Sequence, residues 1–505
     1  MSQHRAPLYE ALAAHRESGA LSFHVPGHKS EAQGYAEAEA DYRQILLLDR
    51  TEIAGLDDLH HPEEAIKEAQ TLAAACFGAD ETFFLVNGST AGNLAMILAT
   101  CRRGDLLLVQ RDAHKSVIHG LMLAGAQAVF ISPLWDPESG LSMGVAAKDV
   151  EQALDRFPEA KGLLVTNPSY YGVASDLKAL SGLLHDRGKV VLVDEAHGAH
   201  FGFHPGVPAS ALSCGADAVV QSTHKMLTAM TMGAMLHVQG PRIHHSAVRK
   251  ALAMVQSSSP SYPIMASLDL SRRMLQEDGR ERIDRGLSAV RRVLAYLSGH
   301  RRWGARDLTE RMLQIGCLQD PFKVALYDVS GRLDGFAIKE RLEQQGCFPE
   351  LADPAHVLLA FSLASTAEAA QRLIEALERI DEETQNEGSE AKPGSWETKA
   401  AAQRISEPVT FDWESIHEGM ETRVTVPVAE CAGHIAAEMI VPYPPGIPVL
   451  YPGERITERT AAHLRRLAAL GSRFHGHDVT ASGTVPVLET RQSPSGTGAC
   501  TNRFE

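Results

Sequence analysis

The stretch DAVVQSTHKMLTAMTMG, residues 217–233, runs from an apolar segment straight into a lysine, and its reading decides the fold. DAVVQS (217–222) has the unbroken apolar character of a strand buried on both faces of a parallel sheet. His224 and Lys225 follow its carboxyl end, among small hydroxyls, methionines and alanines. Most lysines after a strand are solvated. One held among apolar neighbours has its amine made less basic by desolvation, and such an amine attacks carbonyls to form a Schiff base.

Working outward, the same signature recurs at TFFLV (82–86), DLLLVQ (105–110), AVFIS (128–132), GLLVT (162–166), KVVLVDEA (189–196) and AMLHV (234–238), with helical patterns between. Alternation of this kind predicts an α/β domain built on a mostly parallel, seven-stranded sheet. From 262 to 300 the pattern becomes long and helical, and strand-like pieces such as FKVALYDV follow, which predicts a smaller α+β unit. Residues 381–402 are polar and poor in apolar side chains, as a linker is. The expected organisation is an N-terminal arm with helices over 1–50, a major domain over 51–265, and a small α+β domain over 266–380. The linker then leads to a C-terminal domain over 403–488 and a disordered tail over 489–505.

The chain has 505 residues, 63 acidic against 48 basic, for a formal net charge of -15. That balance argues against nucleic acid or an anionic membrane surface as a general partner. Seven cysteines without a CxxC pair fit a reducing compartment. No signal-peptide core is visible at the start, and no run approaches the ~18 apolar residues of a membrane span. A cytoplasmic protein is expected.

Three stretches carry chemistry. In FLVNGSTAGNLAMILAT (84–100) a strand ends in Asn-Gly-Ser-Thr and a helix begins, so Ser89 and Thr90 fall at the helix N-terminus. Free N–H groups and the positive dipole end make that place an anion cradle, although a Ser/Thr cap alone is commonplace. In VVLVDEAHGAH (190–200) a strand delivers Asp194 and Glu195 at its carboxyl end, where open α/β sheets bind ligands. His197, His200 and His204 lack any zinc spacing, so no metal site is expected. Lys225 is the third. An anion cradle, a strand-end acid and a strand-end lysine together match the three handles of pyridoxal 5'-phosphate: phosphate, ring nitrogen and aldehyde. His114, in VQRDAHKSVIHG (109–120), offers a planar group to stack on one face of the ring, and Ala196 can pack against the other.

These stretches, with FHVPGHK (23–29), TEIAGLDDLHHP (51–62), TNPSYYG (166–172), SSSPSYPIMASLD (257–269) and VPYPPGIPVLYPGE (441–454), resemble the Orn/Lys/Arg decarboxylase family, fold type I pyridoxal phosphate enzymes. The resemblance implies that Lys225 forms the imine with the cofactor, that Asp194 meets the pyridinium, and that His114 stacks on the ring. It places Ser222 and His224 at the phosphate with Ser89 and Thr90, and His197 close to the imine. Ser258 corresponds to the segment that reaches the neighbouring subunit's phosphate, implying a homodimer or higher homo-oligomer with shared active sites. Glu438 matches the acidic residue facing the distal cation of a basic substrate. The chain resembles the short bacterial branch, which favours a dimer or tetramer over a decamer. Glu63 and Glu64 stand where the family usually has a glycine.

The expected reaction is α-decarboxylation of lysine or arginine, with ornithine third, releasing CO2 and a polyamine precursor such as cadaverine, agmatine or putrescine. Lys225 or His197 would supply the proton that replaces CO2. Lys and Asp are shared by all fold type I enzymes, so an aminotransferase or aldolase is the alternative, and a cofactor-binding protein without turnover is a third reading. An aminotransferase would usually show an arginine for the α-carboxylate, and none of the matched motifs supplies one.

Overall fold

The computed structural model describes residues 2–32, 35–384, 404–411, 423–443, 448–469 and 472–489. Its seven apolar runs form the expected strands: β1 Glu81–Leu85, β2 Leu106–Gln110, β3 Gln127–Ile131, β4 Gly162–Thr166, β5 Val190–Asp194, β6 Ala218–Gln221 and β7 Ala234–Val238. The order across the sheet is β1-β7-β6-β5-β4-β2-β3, parallel from β6 to β3 and antiparallel on both sides of β7. Strands β2, β5, β6 and β7 are buried at every residue, because helices cover both faces, and this is why the pattern reads as apolar runs and not as alternation.

The chain continues through a small antiparallel sheet, β8 Trp303–Ala305, β9 Lys323–Asp328, β10 Leu351–Ala352 and β11 Val357–Ala360, ordered β10-β11-β9-β8. An eighth strand then joins the large sheet: β12, Val409–Thr410, pairs antiparallel with β3. The sequence reading placed residues from 403 onward in the C-terminal domain. In the structure Ser406 N–H reaches the Phe130 carbonyl and Ile405 bridges Ile131, so 404–410 edge the large sheet. Two residues of strand are too short for any periodicity to announce.

Contacts divide the chain into two compact units meeting at Thr410 and Phe411. The arm, the large sheet and the small sheet all fall in the first. A helix of 38 residues, Tyr262–Gly299, spans it, and its Asp269 and Arg272 are ion-paired at 2.9 Å with both side chains wholly buried. Asp269 accepts from Leu8 N–H, and Arg272 donates to the carbonyls of Gln3 and Arg5, which ties the N-terminal helix Pro7–Glu17 down. The second unit pairs Arg423–Pro427 with Thr484–Leu488 around its own apolar core, including Ile440, Leu450, Leu464 and Val485. Of the expected linker, 381–384 close the helix Ala367–Thr384 and the remainder lies outside the described residues, as does the tail beyond Glu489.

Glu63 and Glu64 are accommodated by Asp57, whose carboxylate accepts from the N–H groups of Glu63, Glu64, Ile66 and Lys67. It caps the helix Ala65–Phe77 from a left-handed backbone position, φ +70°. The motif that follows is closed by side-chain capping in place of glycine.

Candidate functional site

Strands β1, β2, β4, β5 and β6 present their carboxyl ends to one crevice. The turn after β1 enters the helix Gly88–Thr100 through Gly88 at φ +72°. Asn87 makes no side-chain cap, so the first-turn N–H groups around Ser89 and Thr90 keep their ability to hold an anion. The helix lies directly on β6: a Cβ on Gly92 would stand 2.4 Å from Val220 Cγ2 and 2.9 Å from Leu85 Cδ1. That close approach brings Ser89 to the loop after β6, where Ser222 Oγ donates to Ser89 Oγ at 2.9 Å.

Asp194 closes β5, buried, in register with Thr166 and Val220 of the flanking strands. Its Oδ2 accepts from Asn93 Nδ2 at 2.8 Å and its Oδ1 from Ala196 N–H at 3.1 Å. Among the described residues no cation lies at ion-pair distance from this buried carboxylate. Asn93 also donates to Ser116 Oγ at 2.9 Å, and Ser116 Oγ stands 2.8 Å from His114 Nδ1. Ser116 N–H donates to the same nitrogen at 3.2 Å, so Nδ1 is the acceptor of His114 and Nε2 carries its proton. Helix, acid and imidazole thus form one bonded chain.

Lys225 sits in the short helical turn Thr223–Met226, reachable by solvent from the crevice yet crowded by protein around its stem. Crowding lowers its ammonium's pKa, while Asp194 and Glu350 pull the other way. Of the apolar residues after it, Met226 and Leu227 are buried and Met230 and Met232 are exposed. Lys225 Nζ is 3.2 Å from His197 Nε2. His197 is itself buried and held well below the usual imidazole range, first by burial and then by Lys225, Lys323, His114 and His224. Burial also lowers His114 and His224, the latter bonded through Nδ1 to the Gly233 carbonyl at 3.0 Å. A lysine amine, a neutral imidazole, a carboxylate with no cation at ion-pair distance among the described residues and an anion-ready helix end share one crevice. Such a set can hold an aldehyde, a cationic ring nitrogen and a phosphate.

Two predicted residues stand apart from this chain of bonds. Ser258 is exposed, next to Ser257, whose carbonyl meets His60 Nε2 at 2.9 Å. Glu438 lies in the second unit and is ion-paired with Arg423. The three histidines after β5 go to different partners: His197 to the lysines, His200 to Asp320 at 3.1 Å, and His204 to Asp284 at 3.1 Å. Among the described residues no three metal-ligating side chains converge, and no helix is long and apolar enough to cross a membrane. Sequence reasoning missed Asn93, Tyr170 and Lys323. Asn93 ends the quoted NGSTAGN, one helical turn after Ser89, and that spacing was the available signal. Tyr170 packs its ring 5.0 Å from His197, and Lys323 Nζ stands 3.4 Å from His197 Nδ1, with nothing in the local sequence to announce either contact.

Comparison with known proteins bears on the family and the fold. The profile "Orn/Lys/Arg decarboxylase, major domain" matches residues 6–300, and "Orn/Lys/Arg decarboxylase, C-terminal domain" matches 397–494. The uncharacterised protein YaaO of Bacillus subtilis is 40% identical over 479 residues, 93% of this chain and 96% of that one. The arginine decarboxylase of the same organism is 34% identical over 502 residues, 98% and 100% of the two chains. The structure of the constitutive lysine decarboxylase of E. coli superposes with a TM-score of 0.80 at 19% identity, covering 96% of this chain and 82% of that one, which bears on the fold. The architecture is that of fold type I, and the chain belongs to the Orn/Lys/Arg decarboxylase family.

Proposed function

We propose that the protein is a pyridoxal 5'-phosphate-dependent decarboxylase of a basic L-amino acid, with arginine first, lysine second and ornithine third. The observation that carries the cofactor is Asp194: a buried carboxylate bonded to Asn93 and Ala196, with no cation partner among the described residues, facing the same crevice as Lys225. A buried charge of this kind asks for a cation, and a protonated ring nitrogen supplies one. Lys225 would hold the aldehyde covalently, and the helix end at Ser89 and Thr90, with Ser222 and His224, would hold the phosphate. His114 would stack on one face of the ring and Ala196 would pack on the other. When bound, the cofactor supplies an electron-withdrawing ring that accepts the electron pair left behind as CO2 departs.

The order of substrates rests on the relatives: the arginine decarboxylase that matches nearly end to end is closer than the lysine decarboxylase of Pseudomonas aeruginosa, at 28% identity. Glu438, by resemblance, offers the carboxylate for the guanidinium or ammonium at the substrate's far end. A homodimer with shared sites is favoured by the apolar side chains around the crevice and arm. Phe23 is 91% exposed and Leu21 83%, and Met230 and Met232, five and seven residues after Lys225 in sequence, are exposed too. Ser258 would then serve the neighbouring subunit. We infer a cytoplasmic location from the acidic charge and the unpaired cysteines.

Side-by-side incubation with arginine, lysine and ornithine, with CO2 and amine both measured, tests the reading. CO2 and amine should appear in equal amounts, fastest with arginine, and 2-oxo acid as the sole product would overturn it. Lys225→Ala should abolish turnover and the covalent label left on the chain by borohydride reduction, while the protein still folds.

A further inference from the structure

Lys323 opens β9, far from the motifs of the crevice, and its side chain is 4% exposed. The stem runs through a slot built for it: a Cβ on Gly172 would stand 2.6 Å from Lys323 Cβ and 2.7 Å from its Cγ. At the end of that slot Nζ stands 3.4 Å from His197 Nδ1. Among the described residues no carboxylate is within ion-pair distance of this nitrogen; burial lowers its pKa, Asp320 and Glu350 pull the other way and Lys225 adds to the lowering, and protonated or neutral it keeps N–H groups to donate. On the other side of the same imidazole, Nε2 is 3.2 Å from Lys225 Nζ. One histidine is therefore held between two lysine nitrogens.

Counting donors decides how these contacts work. A neutral imidazole has one N–H donor and one acceptor nitrogen, and an imidazolium has two donors and no acceptor. Two ammonium groups cannot both donate to one ring. With the cofactor bound, Lys225 would commit its nitrogen to the aldehyde, which leaves Lys323 as the lysine to donate and Nδ1 as the acceptor. The proton of the ring then sits on Nε2. The groups acting on His197 through charge are Lys225, Lys323, His114 and His224, all cationic when protonated, and Tyr170 presents only a ring. None of them favours an imidazolium.

We propose that Lys323 is a positioning residue: by donating to His197 Nδ1 it holds the neutral Nε2–H form aimed at the Lys225 nitrogen, so that His197 orients and Lys225 carries the proton to the substrate's α-carbon. A neutral imidazole gives a hydrogen bond but is far too weak an acid to give up its remaining proton. The released amine of Lys225, once protonated by solvent or substrate, has a proton to give. The tautomer of a functional histidine is set by what its second nitrogen bonds, and here that partner is a lysine in place of the more usual carboxylate or carbonyl.

The test reads the ring directly. Histidine-labelled, full-length protein is examined by ring 15N NMR with and without cofactor, and the His197 signals are assigned by their loss in His197→Gln. Wild-type protein should show a neutral Nε2–H ring around neutral pH. In Lys323→Met the ring should lose that preference and titrate at higher pH, with kcat down about 10- to 100-fold and KM nearly unchanged, the range seen when a partner orienting a functional histidine is removed. Lys323→Arg should recover part of both. An Nδ1–H ring or an imidazolium in the wild-type protein overturns the inference, and this measurement needs no variant of Lys323 to fold. A Lys323→Met protein with the tautomer intact and KM raised also overturns it, making Lys323 a ligand of the substrate's carboxylate. The inference rests on Lys225 as the covalent anchor. Absence of borohydride labelling at Lys225 would sink that reading and the proton assignment with it, whereas a wrong tautomer sinks the inference alone.

Discussion

Asp194 and Glu195 are adjacent acids on one strand end, both buried, and they face opposite sides of the sheet. Asp194 points to the side covered by the helix Gly88–Thr100, where Asn93 and Ala196 donate to it and, among the described residues, no cation stands at ion-pair distance. Glu195 points to the other side and is satisfied by the protein alone. Its oxygens accept from Ala211 N–H at 2.8 Å and Gln221 Nε2 at 2.7 Å. Gln221 continues to His237 at 3.1 Å, and His237 to Thr82 Oγ1 at 2.8 Å, a polar ladder across β6, β7 and β1. Burial pushes Glu195 up to about 8 and His237 down to about 3, so the ladder is neutral near pH 7. The difference teaches how to separate two buried carboxyls that look alike in sequence. Glu195 is completed by its own chain and neutral; Asp194 has hydrogen bonds but, among the described residues, no ion pair.

Substituting each acid should break the symmetry between them. Asp194→Asn should lower turnover about 10- to 100-fold, as expected for losing a charge-assisted hydrogen bond worth about 1.5–3 kcal/mol. The cofactor-free variant should melt no lower than the parent, since it sheds a buried charge that had no cation. Kinetics and melting of the same preparation check both halves, and full activity would remove Asp194 from the site.

Gly92→Ala tests the helix that faces Asp194. Its methyl would press on Val220 and Leu85, so the helix must lift from β6 at a cost of about 1–3 kcal/mol. Ser89 and Thr90 would move with it. Denaturant unfolding should show the loss, and equilibrium dialysis a weaker hold on the cofactor. A variant as stable and as tightly loaded as the parent would mean that this face has slack.

Glu195→Gln should have the smallest effect near pH 7, with turnover unchanged and the amide of Gln221 turning over to meet the new side chain. The signature lies in pH dependence. Glu195 has its pKa raised on folding, so below about 4.5 folded and unfolded chains are both protonated. Between there and about 8 the unfolded chain ionises while the folded one keeps its proton, and stability falls as pH rises, by up to about 1.4 kcal/mol per pH unit. The Gln variant should lose that slope, and its advantage over the parent should grow with pH until about 8. Parallel curves for the two proteins would show Glu195 ionised in the fold.

Much of this arrangement was legible in the sequence. The seven strands stand out because residues buried on both faces leave unbroken apolar runs, and parallel strands share one carboxyl-end direction, so Asp194 and Lys225 fall on the same side of the sheet from the sequence pattern alone. Asn93 was within a quoted motif but without a role, because its partner Asp194 is 101 residues away. Lys323 was invisible, its contact with His197 spanning 126 residues. Strand β12 was hidden by its length of two residues.

By itself the sequence determined the elements, the family and the identities of the reactive groups, since these depend on local periodicity and on motifs read within a few residues. The tertiary structure alone decided which acid is completed by the chain and which is left open, and which lysine meets which nitrogen of His197. Those outcomes depend on distances of a few ångströms between residues from 16 to 126 positions apart, well beyond the reach of local periodicity, where side-chain identity carries no record of who its neighbour will be.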